Sequence, residues 1–225
     1  KYLSLDGENV VVLEEQKEIM KDQAYGNWFT VINESLVRAS VIQYMIDHHL
    51  KPEEIEDEIK IQEFRGFIWT RNLVNLLNTY KNQRDQYKTF ESFYPKIVDF
   101  FEEESKNVKA TKASFENLIP TITSLEPFEN NAQNVDVNTK QITINFSRKM
   151  LGNGVSLNLG ALGKDHVPIG KEVKFEYFNN NQSLKLEFID LKPDTEYEFL
   201  LTGKRFRSDE GYPLKNYTIK FKTSK

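Results

Sequence analysis

Three histidines, His48, His49 and His166, are the residues best suited to bind a metal or transfer a proton at neutral pH. No two of them are four residues apart, the spacing that places two imidazoles on one face of a helix. His48 and His49 are neighbours, so their side chains would point about 100° apart around a helix. We expect these two to form the polar end of a helix and His166 to lie in a solvated, glycine-rich loop. A metal or proton-transfer role for His48 and His49 is the alternative.

Other kinds of catalysis lack their usual residues. The 225 residues include no cysteine, which excludes disulfide bonds, thiolate zinc clusters and thiol catalysis. Neither a nucleophile elbow, nor a phosphate-binding loop, nor a dinucleotide fingerprint occurs. With a net charge of −4 and a pI near 5.6, the chain lacks the basic surface that a nucleic-acid partner requires. No apolar run approaches the roughly 20 residues of a membrane-spanning helix, so we expect no transmembrane segment.

One carboxylate has surroundings that suit chemistry. On a helix predicted over Asn27–His49, Glu34 would share its face with Val31, Val41 and Met45 and be partly desolvated. Arg38, one turn later, can compensate the charge of Glu34. The ordinary alternative is an exposed i, i+4 ion pair, which contributes only about 0.3–0.5 kcal/mol to stability.

The N-terminal half is predicted to be helical. Residues 1–120 carry a net charge of −6, and residues 121–225 carry +2. Apolar residues recur at helical spacing in two segments, one comprising Trp28, Ile32, Leu36, Ala39, Ile42 and Ile46, the other Trp69, Leu73, Leu76, Leu77 and Tyr80. The polar edge of the first helix is predicted to comprise Asn33, Ser40, Gln43 and Asp47. A third helix is predicted to begin near Pro95, with shorter helices over 8–25 and 53–64, and residues 105–114 are expected to form a polar linker.

The C-terminal half is predicted to be an antiparallel β-sandwich. Past Pro120 the apolar period changes to two, as in Ile142, Ile144 and Phe146, and about seven short strands follow. Residues 179–181 are three asparagines, which tolerate the positive φ of a hairpin. The spacing of residues 191–197 predicts a tyrosine corner with a structural role for Tyr197. We therefore predict a multidomain α and β chain with a mainly helical subdomain over 1–118 and an all-β Ig-like sandwich over 119–225.

The C-terminal half resembles the bacterial Ig-like domain of surface-layer proteins. The resemblance rests on four markers, namely Pro-Phe-Glu-Asn-Asn-Ala at 127–132, Ile-Thr-Ile-Asn-Phe-Ser-Arg-Lys-Met at 142–150, the corner at 191–197 and Phe-Lys-Thr at 221–223. It implies an accessory module with no chemistry of its own and an extracytoplasmic location, whether periplasmic, cell-surface or secreted. The partner that this resemblance implies is a cell-surface protein or glycan, contacted through the Ig-like domain.

The helical half resembles the downstream half of a bacterial family of uncharacterised proteins predicted to be zinc peptidases. The resemblance lies in residues 27–39, in Gly-Phe-Ile-Trp-Thr-Arg at 66–71 and in Phe-Tyr-Pro at 93–95. In that family a His-Glu-x-x-His helix supplies two zinc ligands and a base, and a glutamate on the next long helix is the third ligand. Glu34 matches that glutamate, and Asn33 or Arg38 would support it or line the neighbouring wall of the cleft.

The two-histidine motif is absent from all 225 residues. The resemblance therefore implies that the motif lies just before Lys1 in a longer protein, that the longer protein binds zinc and cleaves a peptide or protein, and that this chain alone is inactive and holds no zinc. Whether the chain is part of an enzyme stays uncertain from sequence. A noncatalytic extracytoplasmic module that binds glycan or protein is the main alternative, and a structural spacer of a surface assembly is the third hypothesis.

Overall fold

The computed structural model describes the backbone of residues 9–225 and the side chains of residues 15–225. It divides into two compact units, a helical unit over Lys1–Asn117 and a β unit over Leu118–Lys225. The predicted fold class, helices followed by a two-sheet sandwich, is confirmed. The domain limits of 1–118 and 119–225 stay a proposal. Among the described helices, none has the length and apolar character needed to cross a membrane.

Five helices make up the described part of the helical unit. They are α1 (Asn9–Lys21), α2 (Trp28–Asp47), α3 (Pro52–Phe64), α4 (Thr70–Asn82) and α5 (Phe90–Glu116). The side chain of Asn27 caps α2 by accepting a hydrogen bond from the Thr30 N–H, 2.9 Å away. Proline occupies the first turn of α3, where its missing N–H leaves no hydrogen bond unmade.

The last helix differs from our prediction at both ends. It begins at Phe90 rather than near Pro95, because Thr89 and Ser92 form a reciprocal capping box. It also continues to Glu116, so the linker predicted over residues 105–114 is wrong. Lys and Ala, which occupy half of this stretch, are good helix formers, and the buried side chains of Ser105 and Val108 attach it to the helical core.

Three aromatic rings form the centre of the helical core. Trp28, Trp69 and Phe101 pack edge to face, with ring centroids 5.7–6.1 Å apart. The Trp69 Nε1–H donates a 2.9 Å hydrogen bond to the hydroxyl of Ser35, which in turn donates to the Val31 carbonyl. This contact fixes α2 against the first turn of α4.

The β unit contains two four-stranded sheets. One has the order β1-β3-β6-β5, with β1 at Ile122–Glu126, β3 at Gln141–Phe146, β6 at Ser183–Glu187 and β5 at Phe175–Phe178. The other has the order β2-β8-β7-β4, with β2 at Ala132–Val135, β8 at Tyr217–Thr223, β7 at Glu196–Leu201 and β4 at Leu157–Leu159. The pairing of β2 with β8 is parallel, and the other described pairings are antiparallel. The three asparagines at 179–181 have φ of 50–60° and connect β5 to β6.

The Tyr197 hydroxyl accepts a 2.8 Å hydrogen bond from the backbone N–H of Lys192, five residues upstream. We expect Tyr197→Phe to lower the free energy of unfolding by about 1–3 kcal/mol, because it leaves the Lys192 N–H without its acceptor in a partly buried place. Amide hydrogen exchange measured by NMR should be faster at Lys192 in the variant. Tyr217→Phe is the matched control, since the hydroxyl of Tyr217 makes a longer 3.3 Å contact with Asn130. Unchanged exchange at Lys192 would contradict the prediction.

Candidate functional site

Glu34 lies on the middle part of α2 with 36% of its side chain exposed. Its Oε2 accepts a hydrogen bond from the Tyr25 hydroxyl at 3.2 Å and lies 3.4 Å from a terminal nitrogen of Arg38. One carboxylate oxygen of Glu34 is therefore held by two side chains, while part of the side chain is exposed to solvent. The i, i+4 spacing on α2 accounts for the contact with Arg38, and the loop before the Asn27 cap accounts for the position of Tyr25.

Arg38 joins Glu34 to the neighbouring helix α3. Its guanidinium donates to the Tyr25 hydroxyl at 2.9 Å and to the Gln62 side-chain oxygen at 2.5 Å, and it lies 4.4 Å above the ring of Phe67. Gln62 donates in turn to Glu58. We call Tyr25, Glu34, Arg38, Glu58 and Gln62 the Arg38 cluster. With only 15% of its side chain exposed, Arg38 forms stronger electrostatic contacts than a surface arginine.

Of the residues predicted for the site, the structure brings Arg38 to Glu34 but leaves Asn33 apart. Asn33 is exposed on the next part of the α2 surface, and no hydrogen bond within the described residues joins it to Glu34. Tyr25, Gln62 and Phe67 were not predicted as site residues. Phe67 belongs to the quoted 66–71 segment, but helical periodicity gave no reason to place Tyr25 or Gln62 beside Glu34.

The histidines lie away from the Arg38 cluster along the chain. His48 is exposed at the end of α2, where its ring stacks on Tyr44 with centroids 3.7 Å apart. His49 is exposed too and follows with a left-handed backbone, φ 54°. His166 ends a short 3-10 helix, and its Nδ1 lies 2.6 Å from the Glu196 carbonyl oxygen. His166 lies in a glycine-rich loop as predicted, but it is more than solvated, because this hydrogen bond attaches it to strand β7.

The exposed side of α2 carries four large apolar side chains. We call them the apolar arc, and each is 51–64% exposed: Phe29, Val37, Val41 and Tyr44. The polar edge predicted for α2 is thus only partly polar. Asn33 and Ser40 are exposed as predicted, but Gln43 is buried and donates a hydrogen bond to Asp47.

A second charged cluster lies between α3 and α4. Arg71 donates two 2.8 Å hydrogen bonds to the carboxylate of Glu56, and its Nε lies 3.5 Å from Oε1 of Glu63. Glu63 is buried, and burial raises its pKa to about 7 although the positive charge of Arg71 acts in the opposite direction. The hydrogen bonds from Arg71 lower the pKa of Glu56. As pH rises, ionisation of Glu56 therefore stabilises the fold, whereas ionisation of Glu63 destabilises it.

A catalytic zinc is held by three protein ligands and keeps a fourth position for water. Within the described residues, no group of three or more His, Cys, Asp or Glu side chains is placed to hold a metal ion. Glu34 supplies one carboxylate, and Tyr25 and Arg38, which contact it, are not usual zinc ligands. These residues do not fit a complete zinc site, and no catalytic step follows from them.

Comparison with protein families gives one match in each half of the chain. Residues 116–223 match the bacterial Ig-like domain, in agreement with the two-sheet sandwich. Residues 4–100 match a family described as a domain of unknown function, DUF4932. Each match covers less than half of the chain. Neither description names zinc or a peptidase, so the relationship to zinc peptidases stays a prediction.

Similar solved structures include the methionine-rich copper resistance protein PcoC from Escherichia coli, at 18% identity and a TM-score of 0.35, covering 47% of this chain and 98% of that one. Domains 1–6 of the surface layer protein SbsC are 14% identical with a TM-score of 0.33, covering 97% of this chain and 32% of that one. This chain therefore spans about a third of the SbsC chain. Identities and TM-scores this low support no argument about function. No match to a curated protein is found.

Proposed function

We propose that this chain is the C-terminal portion of a secreted or surface zinc metallopeptidase-like protein. In this proposal Glu34 is one protein ligand of the zinc, the remaining ligands come from a segment outside these 225 residues, and a peptide or protein is the substrate. The Ig-like domain is a noncatalytic accessory module that contacts a surface protein or glycan. An extracytoplasmic location is part of the same proposal, and the Ig-like domain is what supports it.

The observation that carries the proposal is the support given to Glu34. Carboxylates that bind metals are themselves usually hydrogen-bonded, because these bonds fix the orientation of the ligand. Tyr25 and Arg38 both contact Oε2 of Glu34, and the side chain is still one-third exposed. A surface ion pair does not require a buried guanidinium that is itself held by Gln62 and Phe67. The Arg38 cluster is therefore better explained as a device that orients the Glu34 carboxylate.

The test uses the longer gene product that the proposal requires, in which an upstream segment precedes Lys1. Zinc binding is compared in two variants of it. Glu34→Gln should lower the bound zinc, measured by mass spectrometry of the metal, by at least about tenfold and abolish casein cleavage. Glu54→Gln is the matched control, because it makes the same chemical change at an exposed residue of α3 outside the Arg38 cluster and should keep zinc and activity. Circular dichroism would show that both variants are folded. Unchanged zinc content in Glu34→Gln would reject Glu34 as a ligand.

The second candidate function is a noncatalytic module that binds protein or glycan. The apolar arc favours it, because large exposed apolar surfaces usually mark interaction sites. This candidate predicts that the longer gene product binds no zinc and cleaves no casein, and that Val37→Asp weakens attachment to cell-wall material without unfolding the protein. The same arc argues against a purely structural spacer, because a spacer that binds nothing needs no exposed apolar side chains and would have a uniformly polar surface.

A further inference from the structure

Strand β5 lies at a free edge of its sheet, and we call residues 173–178 the β5 edge. The strand pairs with β6 on one side, and no other described strand pairs with it. The Lys174 carbonyl accepts a 3.0 Å hydrogen bond from the Glu187 N–H. Because the hydrogen-bonding direction alternates along an antiparallel strand, the N–H and C=O groups of Phe175 and Tyr177 point away from β6. No backbone hydrogen bond from the described turns and loops reaches these groups, so they are available to a further strand.

The opposite edge of the same sheet is protected, whereas the β5 edge is not. Strand β1 lies between Pro120 and Pro127, which have no N–H, and its pairing with β3 shifts register between Ile122 and Ser124. Prolines and bulges are devices by which natural edge strands avoid pairing with another chain. The β5 edge contains no proline, its pairing with β6 has no register shift, and all but one of its residues are exposed.

The charged side chains of the β5 edge have an order that complements itself. Lys174 and Glu176 are two residues apart, so their side chains lie on one face of the sheet. The Lys174 ammonium lies 3.7 Å from the Glu187 carboxylate of β6. The Glu176 carboxylate lies 3.3 Å from the Lys185 ammonium of β6. An antiparallel strand that complements Lys-x-Glu must itself read Lys-x-Glu, because its direction is reversed, and β5 in a second copy of this chain is such a strand.

Charge also selects the register of this pairing. The free backbone groups belong to alternate residues, so a two-fold axis between two copies must pass through one residue of the edge. An axis at Phe175 places Lys174 of each copy opposite Glu176 of the other. An axis at Lys174 or at Glu176 places that charge opposite itself, which is unfavourable. An axis at Tyr177 brings the asparagine turn at 179–181 into the pairing and forms no ion pair.

We propose that two copies of this chain pair through their β5 edges, antiparallel and centred on Phe175, so that two four-stranded sheets become one sheet of eight strands. Phe175 of each copy exchanges two backbone hydrogen bonds with Phe175 of the other, and their half-exposed rings lie side by side. Each row of charges then alternates in sign across the junction, from Lys185 and Glu176 of one copy to Lys174 and Glu187 of the second.

Single cysteines test the register, because the chain contains no other thiol. Phe175→Cys places two thiols at the axis, where the Cα atoms of the pair are about 5.5 Å apart and within disulfide range. Phe178→Cys is the matched control, because it replaces the same residue type on the same strand at nearly equal exposure, 40% against 41%. In the proposed register its two copies are offset by six residues, or about 20 Å. Phe175→Cys should form the covalent dimer at least about tenfold faster. Equal rates for the two variants would overturn the register.

Charge reversal tests the partner itself. Lys174→Glu and Glu176→Lys each place like charges opposite one another in a homodimer, so each should raise the dissociation constant at least about tenfold in sedimentation experiments. Mixed in equal amounts, the two variants complement each other at both positions and should form a heterodimer as tight as the parent dimer. Recovery on mixing also shows that both variants are folded. A parent chain that stays monomeric at millimolar concentration, or a mixture no tighter than its components, would refute the pairing.

Discussion

Replacing Trp69 with alanine is expected to lower the free energy of unfolding of the helical unit by about 3–5 kcal/mol, because it removes a large aromatic side chain from a closed core. Trp69 is 1% exposed and packs edge to face against Trp28 and Phe101. The variant also loses the hydrogen bond to Ser35 that fixes α2 against α4. The loss is large compared with the usual stability of a small domain.

Urea unfolding followed by tryptophan fluorescence measures this loss selectively. Trp28 and Trp69 are the two tryptophans of the chain, and both are in the helical unit, so the remaining Trp28 reports on that unit. Trp69→Phe is the matched control, since it keeps an aromatic ring and leaves the Ser35 hydroxyl bonded to the Val31 carbonyl. A loss below about 1 kcal/mol for the alanine variant would show that the core repacks around the missing ring.

Replacing Glu63 with glutamine is expected to stabilise the helical unit at pH 8 by about 3 kcal/mol and to change its stability little at pH 4. The folded-state pKa of Glu63 is about 7, which is above its unfolded value. The folded state therefore holds this proton more tightly, and its stability falls as pH rises from about 4.5 to about 7. Each pKa unit corresponds to about 1.4 kcal/mol, and glutamine carries no charge to be penalised.

Unfolding curves at pH 4 and pH 8 test this effect, and Glu56 supplies a control of opposite sign. Arg71 lowers the pKa of Glu56, so this carboxylate stabilises the fold above its unfolded pKa and loses its contribution as pH falls. Glu56→Gln should therefore destabilise the protein at pH 8. If Glu63→Gln also destabilised the protein at pH 8, burial would not raise the pKa of Glu63.

The sequence predicted elements whose signals are local. Helix α2 followed from apolar residues at helical spacing that begin at Trp28, and the strands β3 and β6 followed from alternating apolar residues that pair in register, such as Ile144 with Leu184. The α5 helix was missed over residues 105–114, because this polar stretch has the composition of a linker. Only the structure shows that Ser105 and Val108 are buried.

The candidate site was predicted only in part, for a related reason. The proximity of Glu34 and Arg38 follows from their spacing on one helix. The contacts of Arg38 with Gln62 and Tyr25 depend on how α3 and a loop pack on α2, and periodicity says nothing about such packing. The apolar arc was missed because apolar residues on a helix are normally assigned to the core. On α2 they occupy both sides, and only the three-dimensional structure shows which side is covered.

Strand β8 is the last strand in chain order, yet it lies inside its sheet, between β2 and β7. A nascent polypeptide cannot assemble this sheet until residues 217–223 have left the ribosome. Until then β2 and β7 lack the strand that joins them, and the apolar face of the other sheet lacks its complete partner. The β unit therefore becomes complete only after translation has passed its last strand.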